Sequence, residues 1–476
     1  MAKDKVASNT YIYAIGEIVP RLMSLFLLPI FTLYLSPSDY GIISYTNSLM
    51  LFLFVFSSFA LNTYLLRTYF DRDTVEDRKK LIGNVFSVII LFNCILLIAG
   101  YTIFPSIFGY AEIQFPFYPY LSISILNNFL EVFSIVPLVI FRVKQKAQYF
   151  VALNVIRSLL IFLLTYILIV HMDWGIMGNC YGRLIINLCF LVVYLIIIAK
   201  QATLNLKWEQ AKKALKFSMP LVPGAISYLL ISMSDRIILE RYVSLSEVGI
   251  YSVAFTLAFS LRIITTSAYR AFEPEIYKRY NGEGFSEFFH TGYKNYMFIV
   301  LIAASGLSFM SKDILLLMTT ASFVEGYYLV PIFLIGGLIT AENIMLGSLV
   351  IAEKKTHVSS FSTITGGLVS VISNIIFVPY FGIYAAAVSL GLAYVVMNII
   401  LLKGMSFKSK LILNDFFAIL IFITSSYFVT QYSNYQEFAL KPIAIKGLLL
   451  LVFVFIYGSI YGVSLSKIKS FARRIF

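Results

Sequence analysis

Charge is scarce in this chain. Of 476 residues, 13% are Asp, Glu, Lys or Arg, about half of what a soluble domain carries. The other side of that shortage is 59% hydrophobic residues and a mean hydropathy of +0.86, which excludes a soluble core of this size. Cysteine is equally sparse. Cys94, Cys180 and Cys189 all sit inside apolar runs, so a disulfide framework is not expected. The three histidines, His171, His290 and His357, are scattered without metal-ligand spacing. There is no Gly-Lys-Ser/Thr phosphate loop and no Gly-x-Ser-x-Gly elbow. These absences argue against nucleotide hydrolysis within the chain, against a bound cofactor or metal, and against an enzyme. Work would then come from an ion gradient, a substrate gradient or consumption of the product. The net charge of +13 does not point to nucleic acid, because the basic residues lie in short loops between apolar runs.

What is abundant is membrane-length apolar sequence. A helical span needs about 20 apolar residues. Fourteen segments qualify: 11–34, 41–66, 81–107, 115–141, 148–170, 174–199, 217–240, 247–269, 291–310, 325–352, 357–378, 382–402, 413–431 and 444–464. The first follows two lysines, is too long for a signal-peptide core and lacks a small-residue cleavage site, so it reads as a retained span. With the amino terminus in the cytoplasm, 27 of the 37 Lys and Arg fall in cytoplasmic segments. Only Arg241, Lys312, Lys441 and Lys446 fall in outer segments and their margins. That asymmetry sets the orientation and puts both termini in the cytoplasm. No outer loop is long enough to form an extracellular domain.

The chain echoes itself. Residues 35–44, LSPSDYGIIS, match residues 243–252, VSLSEVGIYS, at a shift of 208. Trp174-Gly175-Ile176 and Phe381-Gly382-Ile383 stand 207 apart, each beyond a span that follows a basic loop. The expected fold is therefore an all-α polytopic membrane protein of about 14 helices: two six-helix bundles in a parallel repeat, and a final helix pair without a counterpart. The implied domains are 1–199, a basic linker at 200–216, 217–403, and 404–476. The linker has Trp208, Ala211, Ala214 and Leu215 near helical spacing and reads as an interfacial amphipathic helix, or as an ordinary basic loop.

The chemistry is expected where charge enters the spans. Arg157, Arg183, Arg236 and Arg262 lie within helices and stay protonated. Such groups need water, acidic partners or an anionic ligand. The acids available are Glu17, Glu131, Asp235 and Glu342, candidates for gating or ion pairing. Glu17 and Arg21 are four apart and suit one another. Asp235 and Arg236 are adjacent, about 100° apart around the helix, and are expected to find other partners. The remainder is a cationic interior. Guanidinium forks match phosphate oxygens in pairs, so Arg157, Arg183, Arg236, Arg262 and Arg21 are candidates for binding a phosphate or pyrophosphate head group.

Several stretches also resemble a known family: Pro220-Leu221-Val222-Pro223, Ser234-Asp235-Arg236, Glu247-Val248-Gly249-Ile250-Tyr251-Ser252, the Leu35–Gly41 turn, Glu353-Lys354-Lys355-Thr356, Asn374, and Pro379-Tyr380-Phe381-Gly382-Ile383. In order and spacing the chain is similar to the Wzx-type O-antigen and polysaccharide repeat-unit flippases, within the MATE-like (MOP) superfamily. The resemblance implies two six-helix bundles in a V around a central cavity. It implies an undecaprenyl-pyrophosphate-linked oligosaccharide as substrate, turned from the cytoplasmic to the outer leaflet of the bacterial inner membrane by alternating access. A polysaccharide polymerase and a chain-length regulator would be partners. Other readings are a cation or drug antiporter of the same fold, for which acids rather than arginines are expected, a lipid II flippase, and a membrane polymerase or ligase, for which a large outer loop is expected.

Overall fold

The computed structural model describes residues 25–204, 206–407, 412–433, 435 and 439–463, with Gly16, Val19, Pro20 and Met23 ahead of them. Every regular element among these residues is helical. Among the described residues, eleven helices are long and apolar enough to cross a membrane, or twelve when the bent pair Phe285–Phe309 and Ser311–Met318 is taken as one span. The protein is a multi-pass membrane protein. The chain separates into two compact units. One comprises the residues up to Leu229 with Ser244–Ser246, and the other Leu230–Val243 with the residues from Glu247 on.

The first unit opens with α1 (Leu25–Tyr34) and α2 (Pro37–Ser58). Ser36 caps α2, its hydroxyl accepting from Asp39 N at 3.2 Å while Asp39 Oδ2 accepts from Ser36 N at 3.0 Å. This reciprocal cap stabilises the helix start by about 1 kcal/mol. The segment expected as one span over 41–66 breaks at Phe59 and Ala60, both at positive φ (47° and 52°), and resumes as α3 (Leu61–Thr68). Next come α4 (Val75–Thr102), α5 (Phe104–Tyr110), α6 (Tyr120–Glu131), α7 (Ile135–Val143), α8 (Ala147–Tyr166) and α9 (Gly175–Gln201). Their apolar faces form a core that includes Leu61, Leu65, Val85, Ile89 and Val136.

The linker helix α10 (Trp208–Ser218) joins that core through Ala211 and Ala214, both fully buried. Asn84 Nδ2 donates to Lys207 O at 3.0 Å, and Thr203 N donates to Lys79 O at 3.1 Å. A Cβ on Gly83 would lie 1.9 Å from Thr203 O, so only glycine lets the chain pass there. The linker is docked on the first unit, with Lys212, Lys213 and Lys216 exposed on its other face.

The second unit contains most of α11 (Val222–Tyr242), with α12 (Leu245–Phe259), α13 (Leu261–Arg279), α14 (Phe285–Phe309), α15 (Ser311–Met318), α16 (Ala321–Val324), α17 (Leu329–Ala352), α18 (Thr356–Gly404), α19 (Ile412–Tyr432) and α20 (Leu440–Tyr461). At 1.5 Å per residue, a straight α18 would be roughly 74 Å long, more than twice a bilayer core. It is a hairpin instead. Gly382 takes φ 54° and ψ −134°, and Ser362 Oγ donates to Met397 O at 3.1 Å. The spans expected at 357–378 and 382–402 are the two arms.

The doubling read from the sequence recurs in the backbone. Gly175 and Gly382 both take positive φ, 52° and 54°. Gln145 and Lys354, in the two basic loops, do so as well (54° and 60°). After them, Lys146 N donates to Phe141 O at 2.9 Å and Lys355 N to Val350 O at 3.0 Å. The same turn is thus built twice, 209 residues apart.

The final helix pair is fastened to α14 and α15 by buried polar groups. Asp415 accepts from Tyr293 at 2.7 Å and from Tyr461 at 2.6 Å. Lys446, fully buried, donates to Asp313 Oδ2 at 2.7 Å and to Tyr435 at 2.8 Å, and Lys312 donates to Ser433 O at 2.8 Å. Lys312 and Lys446, which the sequence places at the outer margins, are therefore internal fasteners rather than solvated loop charges.

Outside the spans, Glu353 ties the α17–α18 turn to the chain beyond α18. Its oxygens accept from Ser406 N at 2.9 Å and Phe407 N at 3.1 Å, with Lys355 Nζ at 2.8 Å. Burial pushes this carboxyl up. The Lys355 ammonium, the two backbone N–H groups and the Tyr280 hydroxyl outweigh it and hold it at about 2. A value below the ordinary carboxylate range means that the tie stabilises the fold above about pH 4.3 and is lost as pH falls towards 2. Glu353→Ala is expected to free the Ser406 and Phe407 amides, at a local cost of about 2–3 kcal/mol. Hydrogen exchange at those two amides checks it. Exchange faster relative to the intrinsic amide rate at the same pH is expected in the variant at neutral pH, and in the wild type only as pH falls towards 2.

Candidate functional site

Four helices of the first unit each carry polar residues along one face. On α9, Asn179, Arg183 and Asn187 are spaced four apart; on α6, Ser124, Asn127, Asn128 and Glu131 follow the three-to-four spacing of a single stripe. Helix α2 adds Thr46 and Asn47, and α8 adds Arg157 and Ser158. In an apolar span such stripes turn towards one another, because a polar group left in hydrocarbon costs several kcal/mol. Together they line a cavity of about 480 Å³, closed further by Met23, Leu27, Met50 and Phe54.

The guanidiniums are held by carboxamides. Arg157 donates to Asn187 Oδ1 through Nε at 3.1 Å and Nη2 at 2.9 Å. Asn187 in turn donates to Asn127 Oδ1 at 3.1 Å, and Asn127 to Cys180 O at 3.2 Å. Arg183 Nη1 donates to Asn47 Oδ1 at 3.0 Å. Glu131 Oε1 lies 3.1 Å from Arg157 Nη2. Asn179, 5% exposed, keeps its side-chain oxygen without a hydrogen-bond partner among the described residues. Among those residues, two guanidiniums against one carboxylate leave the cavity one positive charge. It can hold an anion by forked donors and present carboxamides to neutral hydroxyls.

The remaining sequence candidates fall elsewhere. Glu17 and Arg21 lie outside the described residues. Arg236 and Asp235, in the second unit, are buried at 4% and 3% exposure. They pair with each other, Nη1 to Oδ1 at 2.9 Å, contrary to the expectation of separate partners. The helical angle separates their Cβ directions only. The long arginine side chain reaches back, donates to Ser232 O at 3.1 Å and lies over Phe255 at 4.2 Å, while Tyr251 donates to Asp235 Oδ2. The pair is internally neutralised. Arg262 lies over Phe259 at 5.1 Å and lines a cavity of about 60 Å³ with Thr265 and Thr340. Glu342 accepts from Asn398 at 3.2 Å. Neither unit by itself gathers all four span arginines; the first gathers Arg157, Arg183 and Glu131.

The carboxamides Asn47, Asn127, Asn128, Asn179 and Asn187 are not among the residues that sequence reasoning singles out. Their signal is the four-residue spacing of Asn and Arg along apolar spans. Asn374, notable in the sequence only for the family resemblance, is 1% exposed, with both side-chain polar atoms unpartnered among the described residues.

An all-helical, membrane-spanning fold with a polar cavity inside its first unit defines a polytopic membrane protein. Over 94% of this chain and 99% of the other, the fold is similar to the lipid II flippase MurJ in an inward closed conformation, with a TM-score of 0.75 and 17% identity. It is also similar to an inward-facing MATE family multidrug resistance transporter of the MOP superfamily, over 88% and 99% of the two chains, with a TM-score of 0.64 and 13% identity. At these identities the likeness is one of fold. No curated protein matches the sequence. Residues 6–276, more than half of the chain, match the family model described as polysaccharide biosynthesis protein, and the chain belongs to that family.

Proposed function

We propose that this protein is a flippase for diphosphate-linked oligosaccharides on a polyprenyl lipid, with an undecaprenyl-pyrophosphate-linked repeat unit as the substrate. The head group would pass from the cytoplasmic to the outer leaflet of the bacterial cytoplasmic membrane by alternating access, with both termini in the cytoplasm. The observation that carries this reading is the cavity of the first unit, where Arg157 and Arg183 meet among carboxamides inside an apolar bundle. Forked donors suit phosphate oxygens, and the carboxamides suit sugar hydroxyls. The family fits this substrate class, and a fold neighbour is described as a lipid II flippase. A surface polysaccharide such as O-antigen is the expected product, with a polymerase and a chain-length regulator as the expected partners.

The test is complementation. In cells lacking their own repeat-unit flippase but making the cognate lipid-linked unit, expression of this chain is expected to restore surface polysaccharide. Rescue of lipid II export instead would reassign the glycan. Resistance to cationic dyes driven by a proton or sodium gradient, without polysaccharide, would overturn the reading in favour of an antiporter.

A further inference from the structure

Glu131 and Arg157 are unequal partners. The Arg157 side chain is 17% exposed and the Glu131 side chain 45%. Arg157 is held from behind by the Asn187–Asn127 chain, so its position does not depend on the carboxylate. Glu131 is the last residue of α6, where the backbone passes into the 3₁₀ turn Val132–Ser134. Its carboxylate occupies a guanidinium face that a phosphate oxygen would need.

Charge balance decides which of the two anions keeps that face. Among the described residues the cavity carries two guanidiniums and Glu131; Glu17 and Arg21, outside the described residues, carry one charge of each sign and cancel in the count. The neighbouring helices change this little. Arg157 on α8 and Arg183 on α9 are the cations facing Glu131, and Cys180 and Tyr194 on α9 are the other titratable groups there. Helix α2 bears a charge only at Asp39 in its first turn, with Tyr40 beside it, and the charged residues of α4 are confined to its first two turns. A diphosphate diester brings two negative charges. With Glu131 ionised the loaded cavity would hold one uncompensated negative charge, which a membrane interior disfavours strongly. With Glu131 protonated it is neutral, and the carboxyl changes from a competing acceptor into a donor to phosphate oxygen.

Resting on the flippase reading, we infer that the diphosphate head group binds together with one proton, which Glu131 takes from water as it yields Arg157 to the phosphate. Glu131 is then a specificity-determining residue. A phosphodiester, with a single negative charge, balances the cavity with Glu131 ionised and needs no proton.

Titration calorimetry on the purified full chain tests this with farnesyl-diphospho-N-acetylglucosamine, in two buffers of different ionisation heat. Wild type is expected to take up about one proton per probe bound, and its affinity to fall about tenfold per pH unit above neutrality. Glu131→Gln is expected to bind without proton uptake and with no pH slope. Farnesyl-phospho-N-acetylglucosamine is expected to bind wild type without uptake. Diphosphate binding by wild type without proton uptake would overturn the inference and leave the flippase reading standing, and that measurement needs no variant. Uptake that persists in Glu131→Gln would also overturn it. Absence of any binding of the diphosphate probe to wild type would overturn both.

Discussion

A chain carrying Arg157→Ala and Arg183→Ala together is expected to reach the membrane at wild-type abundance and to export almost no polysaccharide. Charge-assisted hydrogen bonds contribute about 1.5–3 kcal/mol each, so each lost guanidinium should lower head-group binding about tenfold to a hundredfold. Arg157 presents Nε and Nη2 to Asn187, and Arg183 presents Nη1 to Asn47. Both carboxamides face a polar cavity in which water can replace the lost donors, so folding should survive. Lysine at either position keeps the charge but loses the fork, and its variants should fall between alanine and wild type. Surface polysaccharide per unit of membrane-inserted protein is the readout. Unchanged polymer in the double variant would strip the cavity of its transport role.

The second large effect is on folding rather than transport. Asp235→Ala is expected to remove most of the protein from the membrane. Arg236 would be left 4% exposed with its carboxylate gone, and Tyr251 would lose its acceptor. Breaking a buried pair from one side costs about 3–5 kcal/mol. Removing both charges, with Asp235→Asn and Arg236→Gln, should recover much of the abundance, because no unpaired charge remains. Steady-state level and thermal half-life in detergent measure this, with export normalised to the protein present. A double variant that is abundant but inactive would return the pair to a transport role.

Much of the fold is legible in the sequence, for identifiable reasons. Spans come from apolar run length and the paired turns from their recurrence, whereas the break at Phe59 and Ala60 lies within apolar sequence and gives no such signal. Gly175 and Gly382 are legible because they recur at one offset, and the structure gives both a positive φ. Arg157, Arg183 and Glu131 stand out because a charge in a span demands a partner. The carboxamides are hidden, since a lone Asn in an apolar run is a weak signal until its neighbours at four-residue spacing are read with it. The pairing of Asp235 with Arg236 escapes sequence reasoning because helical geometry fixes where a side chain starts and not where a flexible arginine ends. The burial of Lys312 and Lys446 escapes it for a related reason: hydropathy places a charge near a boundary without showing the buried Asp313 that receives Lys446, or the Ser433 carbonyl that receives Lys312.

The most direct measurement of the central claim is leaflet exchange in proteoliposomes. A fluorescent short-chain polyprenyl-diphospho-oligosaccharide is placed in both leaflets, and the outer pool is reduced chemically. With wild type the bleached fraction is expected to rise from about half of the probe to nearly all of it, and with Arg157→Ala and Arg183→Ala it should stay near half, as in protein-free vesicles. Equal exchange by wild type and the double variant would contradict the claim that these two guanidiniums carry the diphosphate.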